Sequence, residues 1–322
     1  MAVRARDLAR AVRELRAGRL VAFPTETVYG LGADAGNARA VRRIYALKGR
    51  PSTHPVIVHL ADADQLEDWV TIVPATARAL AAAFWPGPLT LVLKKGSQVP
   101  DAVTGGGDSV ALRVPAHPVA QALLKAFAGG IAAPSANRFG RVSPTTAEHV
   151  REEFGQRAPL ILDGGPCPVG VESTIVALTG RRPLLLRPGR ITHAELAEVI
   201  GDIRIARPGR GPRAPGRLRA HYAPGTPLVL ERRAGIARAS ARPGTAVLAR
   251  GRAPAGYSGP RWIAAPSDPA RYARALYANL RLLDRSGAAR IVVEAVPRLD
   301  AWAAVADRLA RAAAGQAPEE GS

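Results

Sequence analysis

The chain has 322 residues, 47% of them hydrophobic and 22% charged, a composition that is typical of a soluble globular protein and excludes an acidic disordered chain. Lys and Arg number 45 against 26 Asp and Glu, and the resulting formal charge of +19 favours polyanionic partners such as nucleotides, RNA or pyrophosphate. The single cysteine, Cys167, excludes a disulfide framework and a cysteine-rich zinc site, and it is typical of a reducing cytoplasm.

Residues 1–200 alternate helical and strand patterns. Apolar residues recur at helical spacing from Leu8 to Leu15, and Gly18 follows where a glycine that ends a helix is expected. Short apolar runs predict strands at 20–23, 56–58, 89–93, 110–114, 131–133, 160–162 and 174–178. Further helices are predicted at 37–47, 75–84, 118–127, 145–154 and 193–200. This alternation predicts an α/β domain with a twisted, mixed sheet and flanking helices.

A second, smaller domain is predicted after a linker. The stretch from Ile203 to Pro227 is dense in Pro, Gly and Arg and has no helical or strand period, which is typical of a linker. Beyond it, strands are predicted at 227–230, 246–248 and 291–294, and long helices at 270–283 and 300–313. We therefore divide the chain into a first domain (1–202), a linker (203–226) and a small Rossmann-like three-layer α/β domain (227–322). No apolar run approaches the roughly 18 residues of a membrane span, so none is predicted.

The positive charge is concentrated in the C-terminal part. Residues 1–200 carry 24 basic and 17 acidic residues, a net +7, whereas 201–322 carry 21 and 9, a net +12. Four of the basic residues are Lys, which leaves 41 Arg out of 45. This skew is typical of a compositional bias. It favours a solvated surface over a dedicated RNA-binding face, and both interpretations stay open.

The usual nucleotide-binding glycine loops are absent from the sequence. The pattern G-x-x-x-x-G-K-[ST] does not occur, and Gly30 and Gly32 lack the third glycine of the dinucleotide fingerprint. Residues 24–32 follow a strand and offer two hydroxyls, a carboxylate and two glycines, which suits a small polar ligand. A glycine-rich turn with locally bonded threonines is the equally good alternative.

Further polar segments suit phosphate binding. Lys48-Gly49-Arg50 follows a helix and offers two cations for a polyphosphate, although cations at a helix C-terminus are also common without a ligand. His54 and His59 lack the partners of a metal site. Residues 133–137 and 172–174, with 186–189, add serine, asparagine, glutamate and arginine next to predicted strands. Arg113 lies inside an apolar strand and needs either a ligand carboxylate or an internal acidic partner.

The motifs PTETVYGLG, KGRP…HP…VH, SVALRVP, PSAN…SPT, GVESTI and LRPG, in this order and spacing, resemble the YrdC/Sua5 family. The later HYAP and the α/β tail resemble its longer, Sua5-type members. The resemblance implies a YrdC-like catalytic domain in residues 1–202. It also implies synthesis of threonylcarbamoyl-AMP from L-threonine, bicarbonate and ATP with release of pyrophosphate, the first step of threonylcarbamoyladenosine modification at position 37 of tRNA.

The resemblance also implies roles for individual residues. The threonine-binding set would be Thr27, His59, Arg113, Ala133 and Ser173. The ATP-binding set would be Lys48, Arg50, His54, Ser109, Ser135, Asn137, Ser143, Arg187 and Tyr222. Lys48 and Arg50 would be catalytic because they neutralise the departing pyrophosphate, and Tyr222 of HYAP would close over the nucleotide. His54 stands where the family usually has Asn.

The remaining expectations concern cofactor, partners and compartment. Mg²⁺ is expected with ATP, without identified protein ligands. The implied partners are downstream threonylcarbamoyl transferase proteins, with a weak tRNA contact, no membrane and a cytoplasmic location. The alternative function is an RNA- or tRNA-binding module that uses the basic surface and transfers no nucleotide. The low aromatic content of 5% counts against specific reading of single strands.

Overall fold

The protein is described by a computed structural model that covers residues 3–207 and 209–315. The chain forms two compact units: Met1–Phe139 with Pro144–Arg217, and Gly140–Ser143 with Leu218–Ser322. The change of unit after Arg217 falls inside the stretch for which a linker is predicted. The sequence gives no sign that the four residues Gly140–Ser143 join the second unit.

Within the described residues, the first unit holds one ten-stranded mixed sheet in the order β10-β9-β8-β4-β5-β3-β6-β2-β1-β7. Its strands are β1 (Val21–Pro24), β2 (Tyr29–Asp34), β3 (Ile57–His59), β4 (Leu89–Lys94), β5 (Ser109–Arg113), β6 (Ile131–Ala132), β7 (Leu160–Ile161), β8 (Thr174–Ala177), β9 (Leu184–Arg187) and β10 (Arg204–Ile205). Its helices are α1 (Ala5–Arg16), α2 (Ala38–Lys48), α3 (Ala75–Phe84), α4 (Asp101–Thr104), α5 (Pro118–Phe127), α6 (Ala147–Phe154) and α7 (His193–Ile200).

Helices cover this sheet on both faces. Leu15 of α1 packs with Leu123 and Leu124 of α5 in one apolar cluster, and Val41 and Ile44 of α2 belong to another, larger cluster. All five side chains are buried because apolar residues recur at helical spacing and form one stripe on each helix. The predicted α/β class with a mixed sheet and flanking helices is therefore confirmed.

Three strands in this sheet correct the sequence-based expectations, and one of them, β10, lies inside the stretch predicted as a linker. Residues 24–32 were predicted as a loop, but Tyr29–Asp34 is β2, which pairs antiparallel with β1. Burial on both faces removes the alternation that identifies a strand, and Gly30 and Gly32 have low strand propensity. Gly32 is required there because a Cβ at that position would lie 2.8 Å from the Phe23 ring. The sequence predicts no strand around Leu186, which lies in β9.

The second unit holds a four-stranded parallel sheet in the order β11-β14-β12-β13. Its elements are β11 (Leu228–Glu231), α8 (Ile236–Ser240), β12 (Thr245–Ala249), β13 (Trp262–Ala264), α9 (Pro269–Asp284), β14 (Arg290–Glu294) and α10 (Ala303–Ala314). Ile236 of α8 packs with Val247 and Val292 on one face. Leu248 and Val293 alternate with these residues and are also fully buried, so both faces are covered. This is the small three-layer domain that the sequence predicts, with β13 and α8 as additions. None of the described helices has the length and apolarity that crossing a bilayer requires.

Candidate functional site

The motif segments of the first unit converge on β2 through main-chain hydrogen bonds. The amide of Tyr29 donates to Pro144 O at 2.9 Å, and the amide of Val169 donates to Glu26 O at 2.8 Å. Gly30 also forms an isolated bridge with Ser135. Segments that are more than 100 residues apart in sequence therefore lie side by side at the beginning of β2.

Arg113, the last residue of β5, is buried and donates hydrogen bonds to three neighbouring residues. Its Nη1 donates to Thr27 Oγ1 at 2.9 Å, its Nε donates to Gly87 O at 3.2 Å, and its Nη2 donates to Glu26 Oε1 at 2.6 Å. The second oxygen of Glu26 accepts from the amide of Ala116 at 3.1 Å. The internal acidic partner that the sequence left as one of two options is thus present. Two of the five N–H donors of the guanidinium are not used in these bonds.

His59 lies beside Arg113 because β3 and β5 pair in parallel with these two residues in register. Its ring contacts Phe23 edge-on, with the ring centroids 6.0 Å apart. Burial, with the positive charge of Arg113, lowers the pKa of His59 to about 3, so the imidazole is neutral. Its Nδ1 is buried and has no hydrogen-bond partner among the described residues. A buried atom of this kind is suited to a ligand donor or acceptor.

Lys48 anchors the segment that follows β6. It ends α2, and its Nζ donates to Ser135 O at 2.6 Å and to Asn137 O. Its own carbonyl accepts from the amide of Phe139 at 2.8 Å. Burial, with the nearby charge of Arg50, lowers the pKa of Lys48 well below its usual range. The amine is held by backbone carbonyls rather than by a carboxylate, and an anion bound beside it would favour its protonated form.

Arg50 and His54 both lie next to the Phe139 ring. The guanidinium carbon of Arg50 is 5.6 Å from the centroid of that ring, and the His54 ring is 5.5 Å from it. Nη2 of Arg50 donates to Pro55 O at 2.9 Å. Burial and the charges of Arg50 and Arg213 lower the pKa of His54. The lowered pKa favours the neutral form of the His54 imidazole.

Ser173 and Arg187 form a third buried group. Oγ of Ser173 is 2.7 Å from Thr90 Oγ1, and Arg187 donates from Nη2 to the same Oγ at 3.1 Å and from Nε to Ser173 O at 3.1 Å. The backbone of Gly189 lies close to that of Thr174, since a Cβ on Gly189 would be 2.2 Å from the amide nitrogen of Thr174. The glycine is needed for this close approach of two backbone segments.

The backbone next to β4 links the Arg113 group to the Ser173 group. Gly87 O accepts from Arg113, and the neighbouring Pro88 O accepts from the amide of Thr174 at 2.9 Å. Ser109 stands apart, because it begins β5 and Arg113 ends it, roughly 13 Å away at the usual strand rise.

The remaining predicted site residues are Ala133, Ser143 and Tyr222. Ala133 is buried, and its amide donates to Ile57 O at 2.8 Å. Ser143 and Tyr222 belong to the second unit. There the Tyr222 ring stacks on Tyr277 with centroids 5.8 Å apart, and its backbone is left-handed with φ +61°. The ligand contacts of all predicted site residues stay predictions.

Some residues of the site had no role in the sequence-based prediction. Glu26 stood inside a quoted motif, but nothing in the sequence pairs it with Arg113, which lies 87 residues away. Thr90 and Phe139 carry no motif signal either, because their roles come from contacts between distant strands and loops.

The site offers cations and hydroxyls, and the single cysteine is not among its reactive groups. Cys167 is buried, and burial raises its pKa, so it is no thiolate. The described residues contain no cluster of three or more His, Cys, Asp or Glu that could hold a metal ion. Such a site can orient and neutralise anionic substrates that react directly with each other.

Two family models match the chain one after the other. The model Sua5_yciO_yrdC, described as "Telomere recombination", matches residues 13–189, more than half of the chain. The chain belongs to the Sua5/YciO/YrdC family. The model Sua5_C, described as "Threonylcarbamoyl-AMP synthase, C-terminal domain", matches residues 191–314 of this family member. The predicted resemblance is confirmed.

Relatives of known name agree with the family match. A threonylcarbamoyl-AMP synthase of Pyrococcus abyssi is 49% identical over 67% of this chain and 65% of its own length, and one of Bacillus subtilis is 48% identical over 70% and 66%. The aligned region thus spans slightly less than two thirds of each relative. The crystal structure of P. abyssi Sua5 with L-threonine is 40% identical and superposes with a TM-score of 0.92 over 98% of this chain and 96% of that chain.

Proposed function

We propose that this member of the family is a threonylcarbamoyl-AMP synthase, a nucleotidyltransferase that joins L-threonine, bicarbonate and ATP and releases pyrophosphate. The observation that carries the proposal is the consecutive match to both family models, the second of which is described by this activity. Support comes from the likeness, over nearly the whole chain, to a structure that holds L-threonine. The buried cations of the site suit two anionic substrates.

We assign threonine to the group around Arg113. The guanidinium is already oriented by Thr27 and Glu26 and keeps donors for a ligand carboxylate. His59 offers the buried Nδ1, and Ser173 and the Ala133 backbone complete the predicted set. Because Glu26 balances the charge of Arg113, the site recognises a carboxylate without holding an isolated buried cation.

We assign the ATP phosphates to Lys48 and Arg50, with further ATP contacts from His54, Ser109, Ser135, Asn137 and Arg187 of the same unit; the ATP contacts of Ser143 and Tyr222 stay predictions. The threonine amine captures CO₂ or bicarbonate as a carbamate, whose oxygen attacks the α-phosphorus while pyrophosphate leaves. Lys48 and Arg50 are the catalytic residues because they neutralise the charge that develops on that leaving group.

Mg²⁺ enters the proposal as the ion carried by ATP. Protein ligands are few in such sites, since phosphates and water supply most of the coordination. The ion adds charge neutralisation on the phosphates. In this proposal the product passes, in the cytoplasm, to downstream threonylcarbamoyl transferase proteins that modify tRNA, with at most a weak direct tRNA contact.

The test is pyrophosphate release by the purified protein. Release is expected only when ATP, L-threonine and bicarbonate are present together. Lys48→Met and Arg50→Met are each expected to lower kcat about 10- to 150-fold, since each removes a charge-assisted contact of about 1.5–3 kcal/mol from the leaving group. Arg78→Met, at an exposed position of α3, is the matched control and is expected to keep wild-type rates. Absence of pyrophosphate with all three substrates would overturn the proposal.

The alternative of an RNA-binding module without nucleotidyl transfer is less well supported. Relatives up to 49% identical are named as synthases. An RNA-binding module also has no need of the buried Lys48 amine or of the Arg113–Glu26 pair.

A further inference from the structure

Four side chains of the second unit meet at the carboxyl ends of two neighbouring strands. Arg250 directly follows β12, and Glu294 is the last residue of β14, which pairs with β12 in parallel. Tyr272 on α9 and Trp302, which directly precedes α10, complete the set. Glu294, Tyr272 and Trp302 are buried, and the Arg250 side chain is 15% exposed. We call these four residues the carboxyl-edge group.

The group lies where the connections of the parallel sheet change direction. The chain leaves β12 towards its neighbour β13, whereas after β14 it continues into α10, which packs against β11 on the other side. Adjacent parallel strands whose connections leave in opposite directions open a crevice at their carboxyl ends, and ligands of open α/β sheets bind in this crevice. The topology therefore marks the place, and the side chains there decide whether a ligand fits it.

Arg250 and Glu294 form an ion pair that uses both carboxylate oxygens. Nη2 of Arg250 donates to Glu294 Oε1 at 2.6 Å, and the amide of Arg250 donates to Glu294 Oε2 at 2.6 Å. The same Nη2 also donates to Ala295 O at 3.3 Å. These bonds hold the guanidinium in one orientation. Its Nε is buried and has no hydrogen-bond partner among the described residues.

The hydroxyl of Tyr272 is a second buried polar atom that has no partner within residues 3–207 and 209–315, and the residue is only 2% exposed. The Tyr272 ring meets the Trp302 ring edge-on with centroids 5.4 Å apart, and the guanidinium carbon of Arg250 is 5.7 Å from the centroid of the same Trp302 ring. Burial, with the charge of Glu294, raises the pKa of Tyr272, so the hydroxyl keeps its proton and can donate it. Because a buried donor without an acceptor is costly, two such donors beside one ring are suited to a shared acceptor.

We propose that the carboxyl-edge group binds a small oxyanion, either a carboxylate or a phosphate group, through Arg250 Nε and the Tyr272 hydroxyl. A hydrogen bond from a guanidinium is stronger to an anionic oxygen than to a neutral one. Glu294 keeps the guanidinium oriented and balances its charge, so the anion is held by directed hydrogen bonds in a poorly hydrated place rather than by net charge. This inference goes beyond the proposed function, because none of the four residues belongs to the predicted threonine or ATP sets.

The test is amide hydrogen exchange of the full chain, read by mass spectrometry, in sodium phosphate, sodium acetate or sodium chloride at equal ionic strength. The Arg250 amide reports on the site directly, because it donates to Glu294. The test variant is Tyr272→Phe, which removes the hydroxyl and keeps the ring. The matched control is Tyr257→Phe in the same unit, whose hydroxyl lies 2.7 Å from Thr245 O and 2.8 Å from Arg261 O and belongs to no part of the group.

At ten times the Kd of the bound anion, exchange of peptides that cover residues 249–252 is expected to slow about tenfold relative to chloride. Slowing by phosphate, by acetate or by both supports the site and identifies the group that it takes. Tyr272→Phe is expected to abolish this slowing, and Tyr257→Phe is expected to keep it. No slowing with either anion, or equal slowing in Tyr272→Phe, would overturn the proposal.

The same experiment separates this site from the proposed function. Peptides around Lys48 and Arg50 in the first unit report on phosphate at the proposed ATP site, and their response is expected to be the same in Tyr272→Phe as in the wild type. Absence of a phosphate effect on those peptides bears on the ATP assignment and leaves the carboxyl-edge group unaffected. Loss of the phosphate effect in both units of Tyr272→Phe would show a general change of structure and would overturn the assignment to this hydroxyl.

Discussion

At the scale of single residues, the Arg113–Glu26 pair combines a structural and a binding role. Both side chains are buried, with exposures of 3% and 7%, so removal of one partner leaves an uncompensated charge in the interior. A loss of activity in a single variant therefore does not separate binding from folding. The two roles are separated by changing both partners together.

Arg113→Ala is expected to lower the free energy of unfolding by about 3–5 kcal/mol, because Glu26 remains buried without its partner. The double variant Arg113→Met with Glu26→Gln is expected to recover most of that stability and to lack threonine-dependent turnover. Urea unfolding and the KM for threonine measure the two effects. The exposed pair Arg78 and Glu67 provides the control, where the same changes are expected to cost less than about 1 kcal/mol. A double variant that uses threonine like the wild type contradicts the assignment.

His59 is expected to make the protein sensitive to acid. Its pKa is lowered to about 3, whereas the unfolded chain titrates near 6.5. Between these values the unfolded state binds the proton and the folded state does not, so this contribution to stability is complete above pH 6.5 and is lost as the pH falls, at about 1.4 kcal/mol per pH unit. His59→Asn should flatten the pH dependence of urea midpoints from pH 6.5 to 4.5. An unchanged slope in that variant would place the acid sensitivity elsewhere.

At the scale of elements, the sequence predicts correctly the helices in which apolar residues recur regularly. Helices α3, α5 and α7 begin and end at the predicted residues, because their apolar stripes are regular and Pro74, Pro118 and Thr192 mark their starts. β2 was missed because a strand buried on both faces shows no alternation and this one contains two glycines. β10, with two exposed residues in a Pro- and Arg-rich stretch, gives no pattern at all.

The same reasoning applies to the site. The motifs identified the segments that meet around β2, since each follows or precedes a predicted strand. They did not identify Glu26 as the partner of Arg113 or Thr90 as the neighbour of Ser173, because these contacts depend on the order and register of strands. Pairing between residues that are 80 or more positions apart is a property of the sheet and leaves no local signal.

A substitution at Gly189 tests whether the site depends on the close contact between the segment after β9 and the start of β8. Gly189→Ala would place a Cβ 2.2 Å from the Thr174 amide nitrogen and 2.6 Å from the Ser173 carbonyl carbon, so the backbone before β8 has to move. We expect a loss of at least 2 kcal/mol in stability, together with a loss of turnover that exceeds what the unfolded fraction explains. Gly180→Ala is the matched control, since a Cβ there meets nothing within 4 Å. Equal behaviour of the two variants would contradict the tight contact.

At the scale of the whole molecule, the formal charge of +19 has several separate origins. Arg50, Arg113 and Arg187 are buried and contribute fixed cations to the first unit, and the Lys48 amine lies buried with a lowered pKa. Some exposed arginines of that unit pair with neighbours, as Arg151 does with Glu148 at 3.1 Å, and such pairs add little to the surface field. The excess is largest after residue 200, where 21 basic residues stand against 9 acidic ones. Net charge thus indicates anionic partners, and only the positions of the charges show which group meets which partner.

Threonine and ATP are expected to stabilise the molecule cooperatively. Ser173 belongs to the predicted threonine set and Arg187 to the predicted ATP set, and the two are joined by a hydrogen bond of 3.1 Å, so a ligand that orders one also orders the other. At 100 times its Kd, each ligand alone adds about 2.7 kcal/mol, and the pair should raise Tm by more than the sum of the two shifts. Thermal melts with a non-hydrolysable ATP analogue, without bicarbonate, avoid turnover. Ser173→Ala should abolish the excess and keep the shift with the analogue alone, whereas strictly additive shifts in the wild type would mean that the two ligands bind independently.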